Sequence, residues 1–323
     1  MKAILFDQPG DPDVLQLGSA PDPQPAPGEL LVRVHATAVN RADLLQRRGA
    51  YPPPKGASQI LGLELAGEVV AGAGDWQPRD RVMAVVTGGG YAELAAVPAG
   101  MAMRIPDQFS FEEAAAIPEA FLTAFLNLFT LGRLQPGETV LIHAGASGVG
   151  TAAIQLARAA GAKVYTTAGS DEKLARCREL GAEVTINYKR ESFVERVLEA
   201  TGRSGVNVLL DFVGAPYWEG NLAVLARGGR LLIIGFLGGS RGHLDIGPIL
   251  GKNLTVVGTA LRGTPLPEKT ALTEAFVAFA LPRFARGELR PVRDSTYALA
   301  QAAEAHRVME ANRNAGKIVL RVD

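Results

Sequence analysis

Apolar and polar residues alternate over short stretches in the first third of the chain, at Leu30–Ala36, Glu64–Ala71 and Arg81–Val86. Each stretch closes at a turn containing Pro or Gly, and a period of two puts one face of a strand against a core. This third therefore reads as β-rich. Pro21–Gly28 (PDPQPAPG) suits neither a central strand nor a helix and reads as a surface connection. From about Glu138 the pattern changes. TVLIHAG reads as a buried strand, SGVGTAAIQLARAAG as a helix ending at Gly, KVYTTAG as a second strand, DEKLARCRELG as a second helix and AEVTINY as a third strand. VNVLLDFVG, GRLLIIGFLGG and LTVVGTA follow, each a run of aliphatic residues closed by Gly. Near-continuous apolar strands alternating with helices predict a parallel sheet covered on both faces, hence an α/β, doubly wound domain.

After about Arg262 the pattern reverts to a helix (Glu268–Arg286), a strand (Asp294–Ala298), a helix (Gln301–Asn312) and a last strand (Lys317–Val322). The simplest architecture is a β-rich substrate domain over residues 1–120 and 263–323, with a dinucleotide-binding domain over 121–262 inserted in it. A ligand is expected in the cleft between the two.

Composition narrows the function. The chain has 323 residues, with 33 Lys plus Arg balanced by 33 Asp plus Glu, so no net field favours nucleic acid or an anionic membrane. Cys177 is the single cysteine, which excludes an intrachain disulfide, a Cys-rich zinc lobe and a CxxC pair. The N-terminal MKAILFDQPG reaches an acid and a proline too early for a signal peptide. The Ala-rich run Glu112–Leu131 is interrupted by Pro118 and Glu119 and is not expected to span a membrane. A cytoplasmic enzyme fits these features.

His143–Gly150 reads HAGASGVG. In the dinucleotide fingerprint of a Rossmann-type domain, Gly145 and Gly150 take the first and last positions, with Ser147 where a second Gly is usual. The strand before and helix after supply the context that makes a phosphate loop of it. Backbone N–H groups of Ser147, Gly148 and Val149 would meet a pyrophosphate, and the Ser147 hydroxyl would add a donor. A Gly-rich turn without ligand has the same letters.

Cofactor choice follows from the end of the second strand, Thr166-Thr167-Ala168-Gly169-Ser170, where an NAD-binding unit carries an acid. Small residues there leave room for a 2′-phosphate, which Lys173, Ser170 and Tyr188 can contact, so NADPH is expected. Asp171 lies close and is negative, although a helix N-terminus is an ordinary place for an acid. Lys173 reads equally as a solvated helix lysine.

NRADLLQRRGAYPPP (Asn40–Pro54), ILGLELAGEV (Ile60–Val69), AAAIPEAFLTAF (Ala114–Phe125), HAGASGVGTAAIQLA (His143–Ala157) and NAGKIVL (Asn314–Leu320) together resemble the zeta-crystallin-like quinone oxidoreductases. These belong to the medium-chain dehydrogenase/reductase superfamily, and the likeness is greatest to the branch containing the tumour-suppressor-induced quinone reductase. The resemblance implies a Rossmann-type domain with a β-rich GroES-like domain, and zinc-independent, NADPH-dependent reduction of quinones by a homodimer. It places cofactor contacts at Ser147–Gly150, Gly169, Ser170, Lys173, Tyr188, Phe212, Val213, Gly214, Gly235, Phe236 and Leu237, with Lys317 near the cofactor. Asn40, Tyr51 and Thr123 correspond to the nicotinamide and substrate end. Leu45 stands where many relatives carry a second Tyr.

No metal is expected. Asn40 stands at the catalytic Cys of zinc-dependent relatives, Gly62-Leu63-Glu64 at their Gly-His-Glu, and His35, His143, His243 and His306 show no ligand spacing. His35 and His143 fall in strands and are expected as hydrogen-bonded core residues. An electron-poor quinone needs positioning and weak hydrogen bonds, for which Asn40 and Tyr51 are suitable neutral donors, with the proton donor left open. Arg41, Asp43 and Arg47 read as helix-surface charges. Two other readings fit the same residues: NADPH-dependent reduction of an activated C=C bond in an enone or alkenal, and a non-catalytic NADPH-binding structural or redox-sensing protein. The apolar strand Leu254–Thr259 should lie at a sheet edge and pair with its copy in a homodimer.

Overall fold

A computed structural model describes residues 1–322 and divides the chain into two compact units, Met1–Leu122 with Arg262–Asp323, and Thr123–Leu261. In the first, the strands are β1 (Lys2–Leu5), β2 (Gln16–Ser19), β3 (Glu29–Ala38), β4 (Glu64–Ala71), β5 (Arg81–Val85), β6 (Leu94–Pro98) and β7 (Ala102–Arg104). The second holds β8 (Thr139–Ile142), β9 (Lys163–Ala168), β10 (Val184–Asn187), β11 (Val206–Asp211), β12 (Leu225–Ile233) and β13 (Thr255–Gly258). The chain then returns to the first unit with β14 (Arg293–Ala298) and β15 (Lys317–Arg321).

In the first unit, β14-β15-β3-β4-β5-β7 form one sheet, with β6 also paired to β3. Alternation is visible in β3, where Leu30, Val32, Val34 and Ala36 are buried between more open neighbours. The pairing of β15 with β3 and of β3 with β4 brings residues from both ends of the sequence to one place: Val319 lies opposite Ala38, and Ala36 opposite Ala66. Helix Arg41–Arg47 begins where β3 ends, and the Asp43 carboxylate reaches back to accept the N–H of Asn40 at 2.8 Å.

In the second unit the order is β10-β9-β8-β11-β12-β13, parallel throughout. This order reverses direction between β8 and β11, the arrangement of a doubly wound dinucleotide fold. Leu141, Leu209 and Leu231 lie fully inside it with Ile186 and Val197. Helices Phe193–Ala200, Trp218–Val224 and Gly247–Lys252, and the β1–β2 hairpin, are too short to be read from sequence. The helical run Phe111–Leu131 is, against expectation, long and apolar enough for a membrane span, with a mean hydropathy of 1.5. However, most of its apolar part is buried within the protein, as in a core helix.

Candidate functional site

The predicted nucleotide residues of the second unit all follow the carboxyl ends of parallel strands. Ala144–Ser147 follow β8, Gly169 and Ser170 follow β9, Tyr188 follows β10, Phe212–Gly214 follow β11, and Gly235–Leu237 follow β12. That edge, beside the switch between β8 and β11, is where such sheets bind ligands.

The turn after β8 is tight. A Cβ on Gly145 would lie 1.9 Å from Thr166 Oγ1, and one on Gly150 would lie 2.4 Å from the Ala144 carbonyl. Ala144 holds a left-handed conformation at φ 50° without being Gly. Ser147 caps helix Gly148–Ala159, its Oγ accepting the Gly150 N–H at 3.0 Å, while its own N–H donates to the Ala144 carbonyl. The expected backbone cradle is therefore corrected. Among the described residues, Gly148 and Val149 keep N–H groups without an acceptor in the chain, whereas Ser147 and Gly150 do not. The Ser147 hydroxyl hydrogen remains to be given.

Ser170 caps the next helix by accepting the Lys173 N–H at 3.3 Å. Gly169 lies against the Tyr188 side chain: a Cβ there would come 2.5 Å from the Tyr188 hydroxyl, the end of an exposed side chain. Lys173 is in the first turn after Ser170, so Ser170, Lys173 and Tyr188 share the end of β9. The Asp171 carboxylate is paired with Arg190 at 2.6 Å and accepts from Asn187 at 2.9 Å, so its charge is balanced locally. Asp171 lies below the usual carboxylate range, held there first by the Asn187 hydrogen bond and then by Arg190. Sequence reasoning missed Arg190; the signal was the basic pair Lys189-Arg190 directly after the third strand.

The loops after β11 and β12 are tied to each other. Leu237 N–H donates to the Phe212 carbonyl at 3.0 Å, Gly238 to Val213 at 2.9 Å, and Ala215 to Gly239 at 2.9 Å. Asp211 anchors this pair by accepting the N–H groups of Val213 and Gly214. Phe236 and Leu237 remain exposed. Thr123 is buried, and its carbonyl accepts from the Asn127 amide. His143 lies in the core as expected, Nδ1 at 3.0 Å from Thr167 Oγ1 and Nε2 at 2.8 Å from Asn221 Oδ1; burial pushes it down to about 4.

Asn40, Tyr51 and Lys317 belong to the other unit, where Asn40 and Lys317 meet Glu64. The Lys317 ammonium donates to Asn40 Oδ1 at 2.6 Å and the Val39 carbonyl at 3.1 Å, and pairs with Glu64 Oε1 at 2.6 Å. Three donors thus meet three acceptors, which leaves Lys317, expected near the cofactor, no ammonium hydrogen to give to one. Asn40 is equally committed. Its amide donates to Glu64 Oε1 at 2.8 Å and to the Ala38 carbonyl at 3.2 Å. The direct hydrogen bond from Asn40 to a substrate oxygen is corrected in turn, since both amide hydrogens are taken.

Behind this cluster lies a buried chain that spacing alone did not disclose. Asp43 and Arg47, read as surface charges, are both fully buried. Arg47 Nη1 donates to His306 Nδ1 at 3.2 Å, so His306 Nε2–H faces Tyr91 Oη at 3.2 Å, and Tyr91 donates to Asp43 Oδ2 at 3.2 Å. Arg47 also pairs with Glu310. Burial pushes Asp43 up to about 6 and His306 down to about 3, the latter helped by Arg47. Asp43 Oδ1 accepts the Gly62 N–H at 3.2 Å, which ties helix Arg41–Arg47 to the turn before Glu64. His35, expected in the core, is instead half-exposed and stacks on Phe111 with centroids 4.4 Å apart.

The alcohol dehydrogenase GroES-like domain family matches residues 26–107, and the zinc-binding dehydrogenase family matches residues 148–277. The quinone oxidoreductase of Salmonella typhimurium is 36% identical over 98% of both chains. The chain belongs to the zeta-crystallin-like quinone oxidoreductase family of medium-chain dehydrogenases/reductases. The crystal structure of Escherichia coli quinone oxidoreductase complexed with NADPH superposes with a TM-score of 0.87 at 31% identity, covering 99% of this chain and 100% of that one. CurK enoyl reductase, with a TM-score of 0.88 at 27% identity and near-complete coverage of both chains, shares the fold.

One of the matched families is named for zinc, and the residues here do not suit that ion. Asn40 and Leu63 replace thiolate and imidazole, and the Lys317 ammonium already lies between Asn40 Oδ1 and Glu64 Oε1. Among the described residues no group of three or more His, Cys, Asp or Glu is placed to hold a metal. The nucleotide edge does suit a dinucleotide: a cradle too tight for a Cβ at Gly145 and Gly150, two spare N–H groups, and a helix N-terminus.

Proposed function

We propose that this chain reduces quinones with NADPH, by hydride transfer and without a resident metal. The observation that carries the reading is the end of β9. No acid stands there, Ser170 caps the helix whose first turn carries Lys173, the Tyr188 hydroxyl lies against Gly169, and Arg190 neutralises Asp171. These groups hold a 2′-phosphate, and Gly148, Val149 and the Ser147 hydroxyl bind the pyrophosphate. The cofactor's presence in the Escherichia coli relative supports the same choice. Phe212–Gly214 and Gly235–Leu237 flank the dinucleotide, and Thr123 lines its nicotinamide end. When bound, NADPH supplies a hydride from its nicotinamide ring.

Tyr51 has no hydrogen-bond partner among the described residues, and we assign its hydroxyl to a substrate oxygen. Asn40, with no free amide hydrogen, is a positioning residue that keeps Lys317 and Glu64 in place. We further propose a cytoplasmic homodimer with no nucleic-acid or membrane partner. Its support is the exposed edge strand β13 and, just before it, the solvent-facing Ile246 and Leu250. The lone Cys177 is a buried free thiol, pushed up to about 12 by burial, which suits a reducing compartment.

The test is to follow reduced nicotinamide consumption with 9,10-phenanthrenequinone, benzoquinone and a 2-alkenal, using NADPH and NADH. NADPH-selective quinone turnover is expected, with the preference reduced about 10- to 100-fold in Lys173→Ala, the worth of one charge-assisted hydrogen bond. Faster turnover of the alkenal would move the reaction to C=C reduction, for which the likeness to an enoyl reductase is the motive. NADPH binding without turnover of any acceptor would replace the enzyme by a binding protein.

A further inference from the structure

Three titratable side chains of the first unit are buried or nearly so and leave polar atoms without a partner in the chain. Glu119, at the start of helix Pro118–Phe125, gives its N–H to Glu64 Oε2 at 2.9 Å, but its own buried Oε2 meets no donor. Arg262 spends Nε and Nη2 on the Thr87 carbonyl at 2.9 and 2.7 Å, and its buried Nη1 meets no acceptor. Lys269, also buried, has no acceptor for its ammonium among the described residues. The three are near enough to act on one another's charge, yet no pair of them approaches within 4.0 Å among the described residues. Tyr51 completes the group, with its ring centroid 5.4 Å from the Arg262 guanidinium carbon.

A buried donor and a buried carboxyl oxygen that each lack a partner in the chain are costly, and a guest that reached both would satisfy them. The guest must carry an oxygen able to accept from a guanidinium and, once reduced, to take a proton. A quinone oxygen has that chemistry. We propose that Arg262 and Tyr51 hold the substrate oxygen, and that Glu119 is the acid that protonates it, with Lys269 offsetting the carboxylate left behind. The proposal rests on the quinone reductase reading and supplies the proton donor that reading lacks.

The step balances. Hydride addition brings two electrons and one hydrogen to the quinone and leaves the negative charge of a hydroquinone monoanion on the oxygen beside Arg262. The O–H bond of the Glu119 carboxyl then breaks, its proton passes to that oxygen, and neutral hydroquinone forms. The carboxylate regains a proton from water once the hydroquinone has left. None of the three neighbouring candidates can serve. Asn40 and Lys317 have spent their hydrogens, and the Glu64 carboxylate is already paired with Lys317.

The electrostatics agree. Glu119 is pushed up to about 8, first by burial and then by the Glu64 carboxylate and Asp43, against Lys317 and Lys269. Arg262 and Tyr51 are the other charged or titratable groups coupled to it. The carboxyl therefore keeps its proton at neutral pH and loses it as pH rises through about 8.

The test uses the full chain with NADPH and an alkyl-substituted benzoquinone, a weak acceptor whose reduction depends on proton delivery. Turnover of the unaltered protein should fall above about pH 8. Glu119→Gln should lower kcat about 100-fold and lose that alkaline limb, with NADPH affinity unchanged by fluorescence titration. Lys269→Met should move the limb to higher pH, since one cation favouring the carboxylate is gone, which a merely structural lysine would not do. A Glu119→Gln protein with the limb intact and kcat within about threefold of the original overturns the proposal. If Glu119→Gln does not fold, an unmoved limb in Lys269→Met overturns it instead. Absence of quinone turnover in the unaltered protein would defeat the function reading itself, whereas turnover with an unaffected Glu119→Gln defeats only the acid.

Discussion

At the scale of single residues, the first unit is organised by buried charges that settle one another. Lys317 is the clearest case, because its ammonium satisfies Asn40, Glu64 and a backbone carbonyl at once. Lys317→Met should leave the Glu64 carboxylate buried without its cation and cost about 3–5 kcal/mol in denaturant unfolding. A loss below about 1 kcal/mol would show that Glu64 finds another partner. His143 provides a pH signature. The unfolded residue takes a proton near the ordinary value of 6.5, but the folded one only at about 4. Its contribution is therefore complete above about 6.5 and is lost as pH falls toward 4, by up to about 3 kcal/mol. His143→Gln, with an amide to meet Thr167 and Asn221, should flatten the acid side of the stability curve over that interval. Asp43 and Arg47 show why such groups were hard to read. Their spacing on helix Arg41–Arg47 looks like an exposed charged face, but Arg47 is held by His306 and Glu310 from the far end of the chain, and Asp43 by Gly62 and Tyr91 from other elements.

At the scale of elements, the strand–turn–helix from β8 into Gly148–Ala159 depends on residues too small to clash. Gly145→Ala puts a methyl group 1.9 Å from Thr166 Oγ1, and Thr166 is locked by its hydrogen bond to the Ile142 carbonyl at 2.7 Å. The expected cost is about 1–3 kcal/mol of stability, together with weaker NADPH binding; both are measurable on one preparation by thermal unfolding and titration. Ser147→Ala should cost about 1 kcal/mol, through loss of the cap on Gly150. This loop was legible because Gly letters, an apolar strand and a helix coincide within a few residues. Helices Phe193–Ala200 and Trp218–Val224 were not, being one to two turns long, the second preceded by Pro216 and interrupted by Gly220. Their stability comes from packing, with Phe193 and Trp218 lying against the buried core of the parallel sheet.

At the scale of the whole molecule, the parallel sheet ends in an open strand. β13 pairs only with β12, and Leu250, 84% exposed, stands shortly before it in sequence. If copies associate there, Leu250→Lys should convert the dimer to a monomer in light scattering while leaving thermal unfolding nearly unchanged. A dimer that survives the substitution would place the interface elsewhere. The doubly wound class and the family were both determined by the sequence alone. Runs of buried aliphatics alternating with helical periods have one economical packing, and the Gly-rich turn marks the strand end that faces a phosphate. Tertiary structure alone decided which polar groups are spent and which are free. Hydrogen-bond capacity is exhausted by neighbours distant in sequence, as Asn40 is by Lys317 and Glu64, and no spacing rule reports such neighbours. For the same reason the unpaired atoms of Glu119 and Arg262, ordinary charged letters in the sequence, emerge as chemistry only once their surroundings are fixed.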